Sequence, residues 1–293
     1  MNLSHFVVSR SWAGPAVAFQ FLPLVLELVP YFDAVVAGLV ISVGGLSEAV
    51  VKESSAALLK WCRAKKAAKS WGSLERLACS VISLFEAHSL DDRVIVPLLK
   101  TTDLLLKNDN FYFLEVRKHT FAARLLQVVK KEINRTNDVG KLRLGIELLI
   151  LLLGFDDPVR PAALRSLVML VGHKYPKVRK HASELLYLQL LSDNNVIGPT
   201  PSEVEVNALS GADDVNYKCG LCSSAESLER ANEILLTTEW DGTDLAALRR
   251  AREELGTCLG FSIVATTTAP MTGKALPADE LTSYSSLVRD AGY

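Results

Sequence analysis

The two thiols of Cys219-Gly220-Leu221-Cys222 are the residues whose spacing points most directly to chemistry. A CxxC pair can supply half of a tetrahedral zinc site or the dithiol of a thioredoxin-like centre. The rest of the chain completes neither. A structural zinc site takes four ligands, and no second pair stands at a suitable spacing. A redox dithiol belongs in a strand–helix–strand context, whereas residues 193–225 are polar, acidic and broken by Gly and Pro. Cys219 and Cys222 are therefore candidates without partners. The other cysteines, Cys62, Cys79 and Cys258, are scattered, and an odd total of five fits a reducing compartment better than a disulfide framework. His119, His173 and His181 read as surface residues, and no histidine pairs with a nucleophile at motif spacing. No phosphate loop, dinucleotide fingerprint or paired-carboxylate arrangement is present, so the residues point away from catalysis and from a bound cofactor.

A second chemistry is charge recognition. Arg160, Arg165, Lys174, Lys177, Arg179 and Lys180 fall close together in sequence. Guanidinium forks and ammonium groups can hold the carboxylates of an acidic partner. The same side chains can instead serve packing and ion pairs between neighbouring helices, because surface pairs contribute little by default. Both readings stand at this point. The net charge of -1 conceals a division: residues 1–192 carry 25 Lys and Arg against 17 Asp and Glu, and residues 193–293 carry 7 against 16. A basic body with an acidic tail suits an acidic partner, or a tail that folds back on the body. The 7% aromatic content and near-zero net charge argue against nucleic-acid binding.

The elements that must position these residues are helices. A Val-basic step followed by a small residue occurs at Val159-Arg160 with Ala163, at Val178-Arg179 with Ala182, and more weakly at Val51-Lys52 with Ser55. Val51, Val94, Val139 and Val178 lie 43, 45 and 39 residues apart. A period near 40 predicts an all-α, HEAT/armadillo-like α-solenoid, in which each helix pair buries its apolar face only against its neighbours. Apolar residues at helical spacing predict helices at 31–43, 46–63, 74–88, 92–107, 121–134, 139–153, 159–172 and 177–191, taken as four successive pairs. Ser47 and Asp91 or Asp92 are placed to cap, and Pro97 is expected in the first turn of its helix. Gly44-Gly45 reads as the turn between two paired helices, where a positive φ costs glycine little. Two further helices, at about 226–238 and 243–259, follow the acidic stretch, and Trp240 between them reads as the side chain that packs a capping pair onto the array. The predicted organisation is thus helical repeats over 1–192, an acidic flexible insertion over 193–225, capping helices over 226–260 and a disordered tail over 261–293. Apolar segments 13–29 and 148–153 are interrupted or too short for the roughly 20 residues a bilayer requires, so no membrane span is expected.

Several of these segments, in order, are similar to the C-terminal region of the tubulin-folding cofactor D family. They are Gly38-Leu39-Val40-Ile41-Ser42-Val43-Gly44-Gly45-Leu46-Ser47-Glu48, Arg93 to Thr101, Lys130-Lys131-Glu132-Ile133, Asp157 to Ala163, Lys174 to Lys180, and Trp240-Asp241 followed by Leu245, Arg249, Arg252, Leu255 and Gly260. The resemblance spans about residues 12–260; the acidic insertion is not part of that pattern, and family members carry many more repeats ahead of this region. It implies a binding scaffold that is not itself an enzyme. It also implies capture of β-tubulin, αβ-tubulin assembly with cofactors E and C, and association with an Arf-like small GTPase. GTPase-activator activity would belong only to the assembled complex. A cytoplasmic, microtubule-associated location goes with that role. A generic HEAT scaffold for a non-tubulin partner, and a thiol or zinc protein using the CxxC pair, are the alternative readings.

Overall fold

The computed structural model describes residues 19, 21–117, 119–134, 136–192 and 224–261. Among these residues every regular element is helical, with twelve α-helices and one 3₁₀ turn. They fall into two compact units, one within residues 1–135 and one within 136–293.

The first unit begins with α1 (Leu22–Val25) and a 3₁₀ turn at Val29–Tyr31, followed by α2 (Phe32–Val43), α3 (Glu48–Ala67), α4 (Trp71–Ala87) and α5 (Asp92–Lys107). A short α6 (Phe113–Val116) and α7 (Phe121–Ile133) complete it. Helical spacing sets the inward faces. Ser54, Leu58 and Trp61 line α3, and Leu77, Val81 and Phe85 line α4. Consecutive helices pack as predicted, α2 on α3 and α4 on α5, and α2 also lies on α5 and α4 on α7. Asp91 is the residue that caps α5, its carboxylate accepting from Arg93 N–H at 3.1 Å. Ser47 holds the N-cap position of α3, but its hydroxyl makes no capping bond.

Two predicted details change. Pro97 lies inside α5, in its second turn rather than its first. Gly44 has φ -90°, so its backbone is not left-handed. Glycine is required there by proximity: a Cβ on Gly44 would stand 2.2 Å from Pro97 Cα and 2.3 Å from Pro97 O. At Gly45 a Cβ would stand 2.7 Å from Ile41 O. The turn is therefore tight because α2 closes directly onto the backbone of α5, and the Thr101 hydroxyl joins the same contact by facing Val40 O at 3.3 Å.

The second unit contains α8 (Val139–Leu152), α9 (Val159–Val171), α10 (Pro176–Ser192), α11 (Ala225–Thr237) and α12 (Leu245–Cys258). Asp138 caps α8 through Gly140 N–H at 2.7 Å, as a carboxylate at a helix N-terminus does. Leu142, Ile146, Leu148, Leu149 and Leu152 are all 0% exposed, because α8 packs on both α9 and α10. That burial accounts for its run of apolar residues. Within the first unit α7 lies against α4, and α8 belongs to the second unit. The remaining contacts join α9 to α10, α10 to α11, α11 to α12, and α12 back to α9.

Candidate interaction surface

The two strong Val-Arg steps lie near the starts of α9 and α10. Val159, Arg160 and Ala163 are buried, and so are Val178, Arg179 and Ala182. The weaker step differs, since Lys52 is exposed and Val51 and Ser55 are half-buried. Burial of an arginine is tolerated only where its donors are satisfied. Arg179 meets that condition with backbone carbonyls. Its Nε donates to Trp240 O at 2.6 Å and its Nη2 to Gly242 O at 2.7 Å. Its Nη1 donates to His173 O at 3.0 Å and Lys174 O at 3.1 Å. The planar fork thus ties the start of α10 to the turn between α11 and α12.

Trp240 sits in that turn with 4% of its surface exposed, and its indole N–H donates to Leu235 O at 3.0 Å. On the outer side of the same turn, Lys180 Nζ meets Asp241 Oδ2 at 3.1 Å. Hydrogen bonding between the two raises the Lys180 pKa and holds Asp241 below the usual carboxylate range. Both groups are open to solvent, so the pair marks geometry more than it adds stability.

The six basic residues therefore separate into two kinds. Arg160 and Arg179, at 1% and 2% exposure, are packing residues, and a partner docking on the folded unit does not reach them. Arg165, Lys174, Lys177 and Lys180 are exposed. Arg165 lies over the Phe261 ring at 5.5 Å, and Lys174 over Tyr175 at 4.7 Å with its Nζ 2.8 Å from Asn137 Oδ1. Arg252, which the sequence placed only within a family-like segment, lies so close over Gly172 that a Cβ there would meet Arg252 Cδ at 2.5 Å. His173 is half-buried rather than a surface residue: its Nδ1 accepts from Tyr175 N–H at 3.2 Å. Burial, then the charges of Lys174 and Arg179, push its pKa down to about 4. His119 and His181 are likewise half-buried.

Cys219 and Cys222 lie outside the described residues. Among the described residues no group of three or more His, Cys, Asp or Glu side chains is arranged to hold a metal ion, and no helix is long and apolar enough to cross a membrane.

Helix pairs that bury their apolar faces against the next pair, with arginines built into the joints, define an all-α repeat protein of the HEAT-like solenoid class. Residues 2–141, just under half of the chain, match the family described as tubulin folding cofactor D C terminal. The exposed basic residues of α9 and α10 lie beyond the matched segment. No solved structure matches the chain.

Proposed function

We propose that the chain is a binding scaffold of the tubulin-folding cofactor D type. In this reading it captures β-tubulin and supports αβ-tubulin assembly with cofactors E and C and an Arf-like small GTPase. Any GTPase-activating effect belongs to the assembled complex, and the working location is the cytoplasm. The family match over residues 2–141 carries the reading. The helical-repeat architecture supports it, since stacked helices offer extended faces for a protein partner. Arg165, Lys174, Lys177 and Lys180 are the side chains proposed to meet acidic groups of tubulin, with Arg160 and Arg179 holding the helices that present them. Trp240 is proposed to seat the capping pair α11–α12, and Gly44-Gly45 to close the α2–α3 turn.

The test is to mix the purified 293-residue chain with native tubulin and follow the mixture by size exclusion with light scattering. A complex that contains β-tubulin and weakens when Lys174, Lys177 and Lys180 are changed together to Glu supports both parts of the proposal. A folded chain that forms no complex removes tubulin capture from this segment. A complex indifferent to the charge reversal moves the contact to another face.

A further inference from the structure

Three Ser or Thr residues of the chain follow a Lys or Arg by three positions: Ser55 after Lys52, Thr120 after Arg117 and Ser183 after Lys180. The structure separates them. Ser55 is half-buried within α3. Ser183 is 3% exposed inside α10, and its hydroxyl donates to Lys180 O at 2.8 Å. Thr120 is exposed and lies outside the helices, at the N-cap position of α7, where its hydroxyl makes no capping bond. Arg117 has 46% of its side chain exposed, and its Nη1 stands 3.5 Å from Glu75 Oε2.

A protein kinase reads such a pattern by charge. Its groove takes the acceptor as extended chain, and acidic groups beside the groove hold the upstream cation. A hydroxyl fixed within a helix reaches that groove only after the helix opens, which sets Ser55 and Ser183 behind Thr120. The Arg117–Glu75 pair is open to solvent and holds the guanidinium weakly, so Arg117 is free to enter the groove with its acceptor. The start of α7 also suits the product. The first N–H groups of a helix have no partner within it. Phe121 N–H donates to His119 Nδ1 at 3.0 Å, whereas Thr120 closes no bond on those that follow. Arg124, one turn further on, bonds Glu86 through Nη2 at 2.7 and 2.8 Å, with 41% of its side chain exposed. A phosphate on Thr120 meets these N–H donors and competes with Glu86 for Arg124.

We propose that Thr120 is a phosphoacceptor for a protein kinase that selects arginine three residues upstream, and that the added phosphate caps α7. In the transfer, Thr120 Oγ1 bonds to the γ-phosphorus of ATP, and the bond from that phosphorus to the β–γ bridging oxygen breaks. ADP leaves with the electron pair of that bond. The hydroxyl proton passes to a base of the kinase.

The experiment incubates the full chain with ATP and the catalytic subunit of cyclic-AMP-dependent protein kinase, and times the phosphate at each residue by peptide mass spectrometry. Thr120 is expected to be modified at least about tenfold faster than Ser55 or Ser183, whose helices must open first. Arg117→Ala should slow Thr120 about tenfold or more, the worth of one charge-assisted contact. Arg117→Lys should recover part of that rate, since the charge stays and the fork is lost. Phosphate at Ser55 or Ser183 ahead of Thr120 overturns the acceptor assignment, and so does a Thr120 rate indifferent to Arg117→Ala. If Arg117→Ala unfolds the unit, Ser55 gains rate with it, and the Thr120-to-Ser55 ratio in the unaltered chain decides alone. Hydrogen exchange in the first turn of α7 should slow about threefold or more on phosphorylation. Unchanged or faster exchange there overturns the capping role of the phosphate.

Discussion

Gly44 lies against the backbone of Pro97 so closely that a Cβ at position 44 would stand 2.2 Å from Pro97 Cα. A proline lies inside α5 at this point, and a glycine follows the last residue of α2 beside it. The two absences, of an N–H and of a side chain, fall at one crossing. Gly44→Ala is expected to destabilise the first unit by about 3 kcal/mol, since neither backbone can yield without shifting its helix. Gly72→Ala is the internal control. Gly72 lies in the first turn of α4 with nothing within 4 Å of an added Cβ, and alanine there should stabilise by about 0.5–1 kcal/mol. Urea unfolding midpoints read both. A harmless alanine at position 44 would show that the crossing is not closely packed in solution.

Arg179 reaches four carbonyls in two separate stretches of chain, 173–174 and 240–242. Replacing it by methionine keeps most of its volume and strands the carbonyls. The expected loss is on the order of 3 kcal/mol, as for a buried charged hydrogen-bonding group removed from its partners. Lysine should recover little, because one ammonium cannot span a set matched to a planar fork. The loss should be local. Hydrogen exchange in α11 and α12 is expected to quicken more than in α8. Uniform quickening across the second unit would assign Arg179 to general core stability instead.

Much of this fold was legible because its signals are local. The cap at Asp91 and the periodic Ile95, Leu98, Leu99, Thr102, Leu105 and Leu106 define α5 within one stretch of chain. The Val-Arg-x-x-Ala step likewise marks two helix starts. Whether Arg179 faces outward was not legible, because the answer lies in carbonyls 61 and 63 residues away, and a carbonyl has no residue type. Gly44 was recognisable as a turn residue, but its reason sits 53 positions later in Pro97. The contacts of His119 were missed on the same ground. His119, Cys79 and Glu75 have no motif spacing, and only the packing of α7 against α4 brings them together.

His173 gives the second unit a predictable response to acid. Its imidazole is half-buried, with Lys174 and Arg179 beside it, and its pKa falls from 6.5 to about 4. Between those values the unfolded chain binds a proton at this position that the folded chain does not, so stability rises with pH across the window. The contribution of the neutral ring is fully present above about pH 6.5 and is lost as pH falls toward about 4. His173→Asn keeps an acceptor for Tyr175 N–H and cannot titrate. Unfolding free energy measured from pH 7 to pH 4 should therefore fall less steeply in the variant, with the two slopes differing by up to one proton. Glu27 and Asp33 have lowered values and steepen the acid limb of both proteins, so the difference between the curves isolates His173. Parallel curves would mean that the ring takes up its proton as readily in the folded chain as in the unfolded one, and that the carbonyl-bound Arg179 beside it imposes no electrostatic cost.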